Sequence, residues 1–481
     1  MKKNNNYELP SVNSARRRSK NEIQIERELF IIPETCKGMG VGRTYFLRTY
    51  GCQANQRDSE TIAGIMEELG YTMVDCEEKA DVIMLNTCAI RKNAEDKVLG
   101  EIGNLKKLKR TNPDLIIAMS GCMAQEEGMV KTILSKYPQV DLIFGTHNIY
   151  NLPKLLHQAV LSKEKTVEVF SKEGEVIEAL PATRFTTHKA WVNISYGCDK
   201  FCSYCIVPYT RGRERSRLIK DIIDEIQDLI KDGYREVTLL GQNVNAYGRD
   251  LNYEHGFATL LEEVAKTGIE RIRFMTSHPW NFDDATIEVC GKYPNIMPYV
   301  HLPLQSGNDE ILRKMNRRYN AEQYRTLFDK LKSTIKNCAF TTDIIVGFPN
   351  ESEEAFEDTL KMVDYCQYDN AFTFIYSPRE GTPAAAMEDN ISLEVKEERL
   401  VRLNKLVGNY ANMNNQKYLD QVVEVLVDGF SKKNDTVYSG YTPQFKLVNF
   451  TAKNVKIGDI VKVKIIAAKS FSLDGVMIEE E

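Results

Sequence analysis

"YGCDKFCSYCIVPYTRGRERSR", residues 196–217, sets three thiols, Cys198, Cys202 and Cys205, in one short loop and follows them with Arg211, Arg213, Arg215 and Arg217. Structural zinc wants a closed tetrahedral shell, and the nearby sequence offers no fourth Cys or His. Thiolates also suit iron–sulfur clusters, in which a four-iron cube takes one ligand per iron. Three cysteines leave one iron open, so the missing ligand becomes a place where a substrate or cofactor can bind.

The surroundings of this loop read as a βα series that begins at Trp191. Six strand-like runs, "WVNIS", "VTLLG", "IRFMT", "YVHLP", "FTTDIIV" and "FTFIYS", alternate with helical stretches such as "LIKDIIDEIQDLIKDG". Six βα units predict a partial barrel, with its site at the carboxyl ends of the strands. Those ends carry the small or polar groups "GC", "GQN", "SHP", "QSG", "GFP" and "SPREGT".

Upstream, from Arg43, short apolar runs alternate with amphipathic stretches, the pattern of an open parallel α/β sheet. Cys52, Cys88 and Cys122, in "GCQAN", "NTCAIR" and "SGCMAQ", each fall after a strand and before a helix. Such positions share the carboxyl edge of an open sheet, where ligands bind. Cys36, Cys76, Cys290, Cys338 and Cys366 show no such placement and read as structural. Downstream of "VGNYANMNNQKY", β-branched alternation broken by turns predicts five short strands in a small barrel of oligonucleotide-binding type.

The domain plan is therefore 1–42, a mostly disordered extension with a basic cluster at Arg16–Arg18; 43–160, the α/β sheet; 161–187, a polar linker; 188–417, the partial barrel; and 418–481, the small all-β barrel. At 481 residues with 42% hydrophobic content the chain has ample material for several cores. A net charge of −5 excludes a global attraction to nucleic acid or anionic membrane, so any RNA contact must be local. The polar N-terminus lacks the apolar core of a secretory signal, and no stretch approaches the ~20 apolar residues of a membrane span. A cytoplasmic protein without membrane association is expected, with its clustered thiols serving as ligands rather than disulfides.

The C-x3-C-x2-C loop after the first strand of a partial barrel resembles the radical S-adenosylmethionine (SAM) superfamily. That resemblance implies a [4Fe–4S] cluster on Cys198, Cys202 and Cys205 whose open iron chelates SAM, and electron transfer from a flavodoxin-like or ferredoxin-like donor to release a 5′-deoxyadenosyl radical. From about Arg43 to the end the chain resembles the methylthiotransferase family, which implies a second [4Fe–4S] cluster on Cys52, Cys88 and Cys122 and identifies the C-terminal barrel as a TRAM domain. "NTCAIRKNAEDKVLGEIG", "CIVPYTRGRERSR", "HLPLQSGND" and "YSPREGTPAA" resemble its MiaB branch. Members of that branch convert N6-isopentenyladenosine, beside the tRNA anticodon, into the 2-methylthio derivative, with SAM as radical source and methyl donor. Where that pattern leads one to expect "GFPGET", this chain has "GFPNES".

The same resemblance places Tyr204 along the adenosine of SAM and Gly241, Gln242 and Asn243 at its amino group, with Ser277, Gln305 and Ser306 as further polar contacts. Arg211, Arg213, Arg215 and Arg217 offer guanidinium forks for RNA phosphates, and Arg317 and Arg318 in "RKMNRRY" mix charge with an aromatic as RNA contacts do. Solvated pairs with Glu214 and Asp221 are the plainer reading of the first set. The expected partners are a tRNA anticodon stem-loop, a low-potential electron donor and a sulfur donor, acting on a monomer. The small barrel is expected beside the barrel mouth, gripping the RNA backbone. Methylthiolation of a ribosomal-protein aspartate or of threonylcarbamoyl-adenosine, and a non-catalytic zinc-containing RNA-binding protein, stay open on composition and spacing alone.

Overall fold

Alternation in the first half of the chain builds a two-faced sheet. The computed structural model describes residues 27–89, 92–162, 165–169 and 176–478, in two compact units. The first unit comprises the chain up to residue 185 together with 196–200 and 205–217. Its elements are β1 (Thr44–Thr49), α1 (Gln53–Glu68), β2 (Thr72–Met73), β3 (Val82–Thr87), α2 (Lys92–Thr111), β4 (Ile116–Gly121), α3 (Glu127–Lys136), β5 (Leu142–Phe144), α4 (Leu152–Ser162) and β6 (Thr166–Glu168). The strands form one parallel sheet in the order β2-β1-β3-β4-β5-β6. Val82, Met84, Ile116 and Ala118 pack with α1 and α4 residues on one face. Ile83, Leu85, Ile117 and Met119 face Val98, Ile102, Val130 and Ile133 on the other, as a period of two requires.

Two expectations need correction here. The stretch 161–187 supplies the sixth strand of the sheet and a further strand, Val176–Glu178, which pairs with Arg27–Leu29. Arg184 and Thr183 then bond to Glu60 and Glu67 of α1. From the first 42 residues, Cys36 is buried and Phe30, Ile32 and Met39 pack against the sheet's core, because "FIIP" and its neighbours offer apolar surface that this face can cover. Arg16–Arg18 lie outside the described residues.

The second unit holds the six expected strands: β7 (Lys189–Asn193), β8 (Glu236–Leu240), β9 (Arg271–Phe274), β10 (Tyr299–His301), β11 (Ala339–Val346) and β12 (Asn370–Ile375). They form two parallel three-stranded sheets in chain order, joined where Ile272 bridges Ile296. Between and after them lie α5 (Ile219–Lys231), α6 (Gly256–Lys266), α7 (Asp284–Lys292), α8 (Asp309–Lys314), α9 (Ala321–Thr334), α10 (Glu353–Cys366) and α11 (Leu393–Gln416). Apolar residues of the strands meet the inner stripes of the helices, such as Ile222, Ile226 and Leu229 of α5, in one core that also buries Cys290 and Cys366. "GFPNES" keeps the geometry that glycine would supply: Asn350 adopts φ 64°, a region asparagine tolerates, and Ser352 caps α10 by accepting from the Ala355 N–H.

The last five strands, β13 (Val422–Ser431), β14 (Asn434–Tyr441), β15 (Leu447–Thr451), β16 (Ile460–Ala468) and β17 (Leu473–Met477), close into a barrel around Val425, Val427, Val448, Phe450, Val463, Ile465 and Leu473. Its position corrects the expectation that it borders the mouth. It sits on the amino ends of the (β/α)6 strands. Arg271, first residue of β9, donates to Glu424 (2.7 Å) and to the Tyr441 carbonyl (2.9 Å). Arg273 donates to Glu236, the first residue of β8, and to the carbonyls of Thr442 and Pro443, each at 2.9 Å. Lys446 pairs with Asp369 just before β12, and Asp428 receives His188 and Lys189 at the start of β7. Burial works against the charge on Asp428, but these two partners outweigh it and hold its carboxyl down to about 2.

Arg273 is buried against Glu236. Arg273→Ala strands that carboxylate and two carbonyls, so it should cost roughly 3–5 kcal/mol, read as a lower urea midpoint. Arg249→Ala, at an exposed position, should stay within about 0.5 kcal/mol.

Candidate metal centres

Three neighbouring parallel strands of the first unit, β1, β3 and β4, end at Thr49, Thr87 and Gly121, and each delivers a cysteine within three residues of its end. Cys52 stands at the N-cap of α1, Cys88 directly follows β3, and Cys122 opens a 3-10 turn after β4. The thiols form no disulfide and are close enough for the charges of Cys88 and Cys52 to act on Cys122. Burial pushes the Cys122 thiol up to about 12, against the pull of Arg211.

The backbone here leaves room for little else. Gly51 holds φ 117°, and a Cβ on it would lie 2.5 Å from Cys88 Cβ and 2.9 Å from its sulfur. Gly121 holds φ 96°, and a Cβ there would strike the Thr87 carbonyl at 2.2 Å. Underneath runs a buried polar layer: Asn55 donates to the Thr87 carbonyl (2.8 Å), Asn86 to the Asn55 carbonyl (2.7 Å) and Ser59 (2.9 Å), and Thr87 to the Ser120 carbonyl (2.6 Å). This layer ties the three strand ends to α1. Sequence reading missed Asn55 and Asn86, although a polar "NQRDSE" opening a helix in an apolar sheet region was a signal for it.

The second set of thiols is divided by the compact units: Cys198 and Cys205 belong to the first and Cys202 to the second. In the second unit the loop around Cys202 is clamped by the segment after α8. Ser203 donates its N–H to the Met315 carbonyl and its hydroxyl to that of Lys314, and Asn316 donates to the Phe201 carbonyl. Arg317 is buried, donating to Cys202 Sγ at 3.5 Å, the Pro303 carbonyl at 3.0 Å and Tyr319 Oη at 3.0 Å. Tyr204 packs against Ile311, Met315, Phe348 and Tyr376.

At the carboxyl ends of the first strands three buried polar atoms lack a partner: Ser195 Oγ, Asn243 Oδ1 and Asn281 Nδ2. Gly241 is buried and Gln242 half-buried beside them. An unpaired buried polar atom is costly, so this cluster suits a polar ligand; Ser195 and Asn281 went unremarked in the sequence. Gln305 is buried at φ 68°, where its backbone pairs with β11. Ser277 donates to the His301 carbonyl (2.9 Å), and Ser306 lies fully buried between Thr359 and the Asn308 N–H. Those two hydroxyls brace loops. His278 caps the turn Pro279–Asn281 through the Trp280 N–H.

The arginines need the largest correction. Arg211 bonds Asp58 and Cys122, Arg217 pairs with Glu178, Arg215 donates to the Arg211 carbonyl, and all three are buried. Arg317 is equally committed. The partners of Arg211 and Arg217 lie far off in sequence, which is why the run looked free. Arg213 is half-buried beside Asp199. Arg318 stays exposed, 4.9 Å over the ring of Trp280, itself 44% exposed.

Among the described residues no three His, Cys, Asp or Glu side chains converge on a single metal ion. A four-iron cube asks for a wider set, one ligand per iron; three free cysteines at adjacent strand ends would supply three of the four and leave one iron open.

Residues 192–363 match the radical SAM superfamily, 44–145 an uncharacterised family, UPF0004, and 416–478 the TRAM domain. In fold the chain is similar to the radical SAM methyltransferase TsrM from Kitasatospora setae, with TM-scores of 0.53 and 0.54 at 13% and 12% identity, covering 71% of this chain and 75% and 74% of the other. Fold and cysteine spacing thus define a radical SAM protein. The chain is 56% identical over 475 residues, 98% of its length and 93% of theirs, to tRNA-2-methylthio-N(6)-dimethylallyladenosine synthases of Bacillus cytotoxicus and Bacillus mycoides. It belongs to the family of these synthases.

Gly51→Ala places a methyl group against Cys88 in a strained backbone. Iron in anaerobically reconstituted protein should fall from roughly eight atoms to about four.

Proposed function

We propose that the chain is a tRNA methylthiotransferase that inserts sulfur at C2 of N6-isopentenyladenosine at tRNA position 37 and methylates it, with SAM as radical source and methyl donor. The observation that carries this reading is the 56% identity to the synthases over 98% of the chain. Three thiols at the sheet edge and three in the loop 198–205 agree with it. Cys198, Cys202 and Cys205 would hold the cluster that binds SAM, and Cys52, Cys88 and Cys122 the auxiliary one. A cluster held by Cys198, Cys202 and Cys205 would supply the electron for reductive cleavage of the SAM sulfonium.

The chain's own residues do the positioning. The 201–204 loop is fixed by Met315 and Asn316, so Cys202 and Tyr204 are presented without backbone freedom. Ser195, Asn243 and Asn281 offer unmet polar atoms to SAM. No described helix is long and apolar enough to cross a membrane, consistent with work in the cytoplasm on an anticodon stem-loop, with a low-potential electron donor and an external sulfur donor.

The RNA grip falls to groups left exposed. On the β13–β14 hairpin, Phe430 is 52% exposed and its ring lies tilted 4.7 Å from that of Tyr438, beside the exposed Lys432 and Lys433. An aromatic face next to two cations suits a base and its phosphates. Arg318 on Trp280 makes a second such pair.

Three measurements test this reading. In cells lacking the protein, mass spectrometry of tRNA nucleosides should find the isopentenyl group retained and the methylthio group gone; an unchanged methylthio signal refutes the assignment. Cys202→Ala should abolish SAM cleavage, whereas Cys88→Ala should still yield 5′-deoxyadenosine and insert no sulfur. Lys432→Glu with Lys433→Glu should weaken tRNA binding at low salt by about tenfold and flatten its salt dependence.

A further inference from the structure

Arg211 follows the radical-motif cysteines in sequence, yet its side chain ends on the other trio. Its Nε–H donates to Cys122 Sγ at 3.2 Å, and an Nη–H of the same plane donates to Asp58 Oδ2 at 2.7 Å. Asp58 lies on α1, the helix whose N-cap is Cys52. The backbone behind the guanidinium is fixed: Val207–Thr210 form a one-turn helix, the Arg211 N–H closes on the Val207 carbonyl, and Thr146 donates to the Thr210 carbonyl at 2.7 Å. One rigid fork therefore joins the third cysteine of the sheet edge to the helix that carries the first.

We infer that Arg211 is a positioning residue for the auxiliary cluster: it orients the Cys122 sulfur as a ligand and raises the cluster's reduction potential. This rests on the proposed cluster at Cys52, Cys88 and Cys122. A guanidinium N–H on a ligating sulfur draws electron density from it and favours the reduced, more negative cluster. Asp58 holds the fork in plane and tempers its charge, so the two side chains act on the potential with opposite sign. Lysine would keep the ion pair with Asp58, but its single ammonium cannot serve carboxylate and sulfur in one fixed geometry.

The test uses full-length protein in which Cys198, Cys202 and Cys205 are all alanine, so that every iron counted sits at the sheet edge. In this background, Arg211→Lys and Arg211→Gln should move the midpoint of the cluster, followed by electron paramagnetic resonance in a redox titration, to more negative values. Each should also surrender its iron at about a tenth of the chelator concentration that the parent withstands. Asp58→Asn should move the midpoint the opposite way. A midpoint unmoved by Arg211→Lys and by Asp58→Asn overturns the inference and leaves Arg211 a plain ion-pair partner. A parent that binds no iron overturns the cluster reading itself and the inference with it.

Discussion

A sulfur that must carry negative charge away from water needs a positive charge beside it, and the architecture around both cysteine trios answers that demand with arginine. Arg211 reaches Cys122 and Arg317 reaches Cys202, both buried, both through guanidinium N–H groups. The two differ in how their own charge is met. Arg211 has Asp58, while Arg317, among the described residues, has the neutral oxygens of Pro303 and Tyr319 besides the thiol. A buried cation without a carboxylate is costly unless an anion is present.

The rest of the first unit follows from keeping such a site rigid. Parallel strands bring three loops to one edge, glycine at 51 lets the backbone approach the Cys88 sulfur and glycine at 121 the Thr87 carbonyl, and the Asn55–Asn86–Ser59 layer fixes the loops to α1. In the second unit the clamp from Met315 and Asn316 does the same for the 201–204 segment. Polar groups are buried here at a density that a purely structural core would avoid, and the hydrogen bonds account for most of them.

Local pattern carried the strands and the thiols: apolar alternation marked every strand of the barrel, and strand–cysteine–helix order marked Cys52, Cys88 and Cys122. Contacts between distant residues were not legible. Arg211 and Asp58 stand 153 positions apart and Arg271 and Glu424 also 153, so nothing local distinguishes a buried fork from a solvated one. The same blindness put the small barrel at the wrong end of the strands and called 161–187 a linker, though the apolar "VEVF" and "EVIEAL" within it were strand-like. Ser277 and Ser306 illustrate a further limit: a polar residue at a strand's carboxyl end can face a ligand or its own loop, and composition is the same in both cases.

The docking of the small barrel on the amino ends of β7 to β12 bears on how the molecule is made. Arg271, Arg273 and Tyr299 belong to the middle of the chain, but Glu424, the Thr442 and Pro443 carbonyls and the Phe445 ring that cover them lie near its end. During synthesis, at about 5–20 residues per second, the partial barrel leaves the ribosome with its floor open and two arginines uncovered. That floor closes only when the last strands have emerged. Covering these arginines is therefore the latest step in assembling this unit, made by strands far downstream of those they cap.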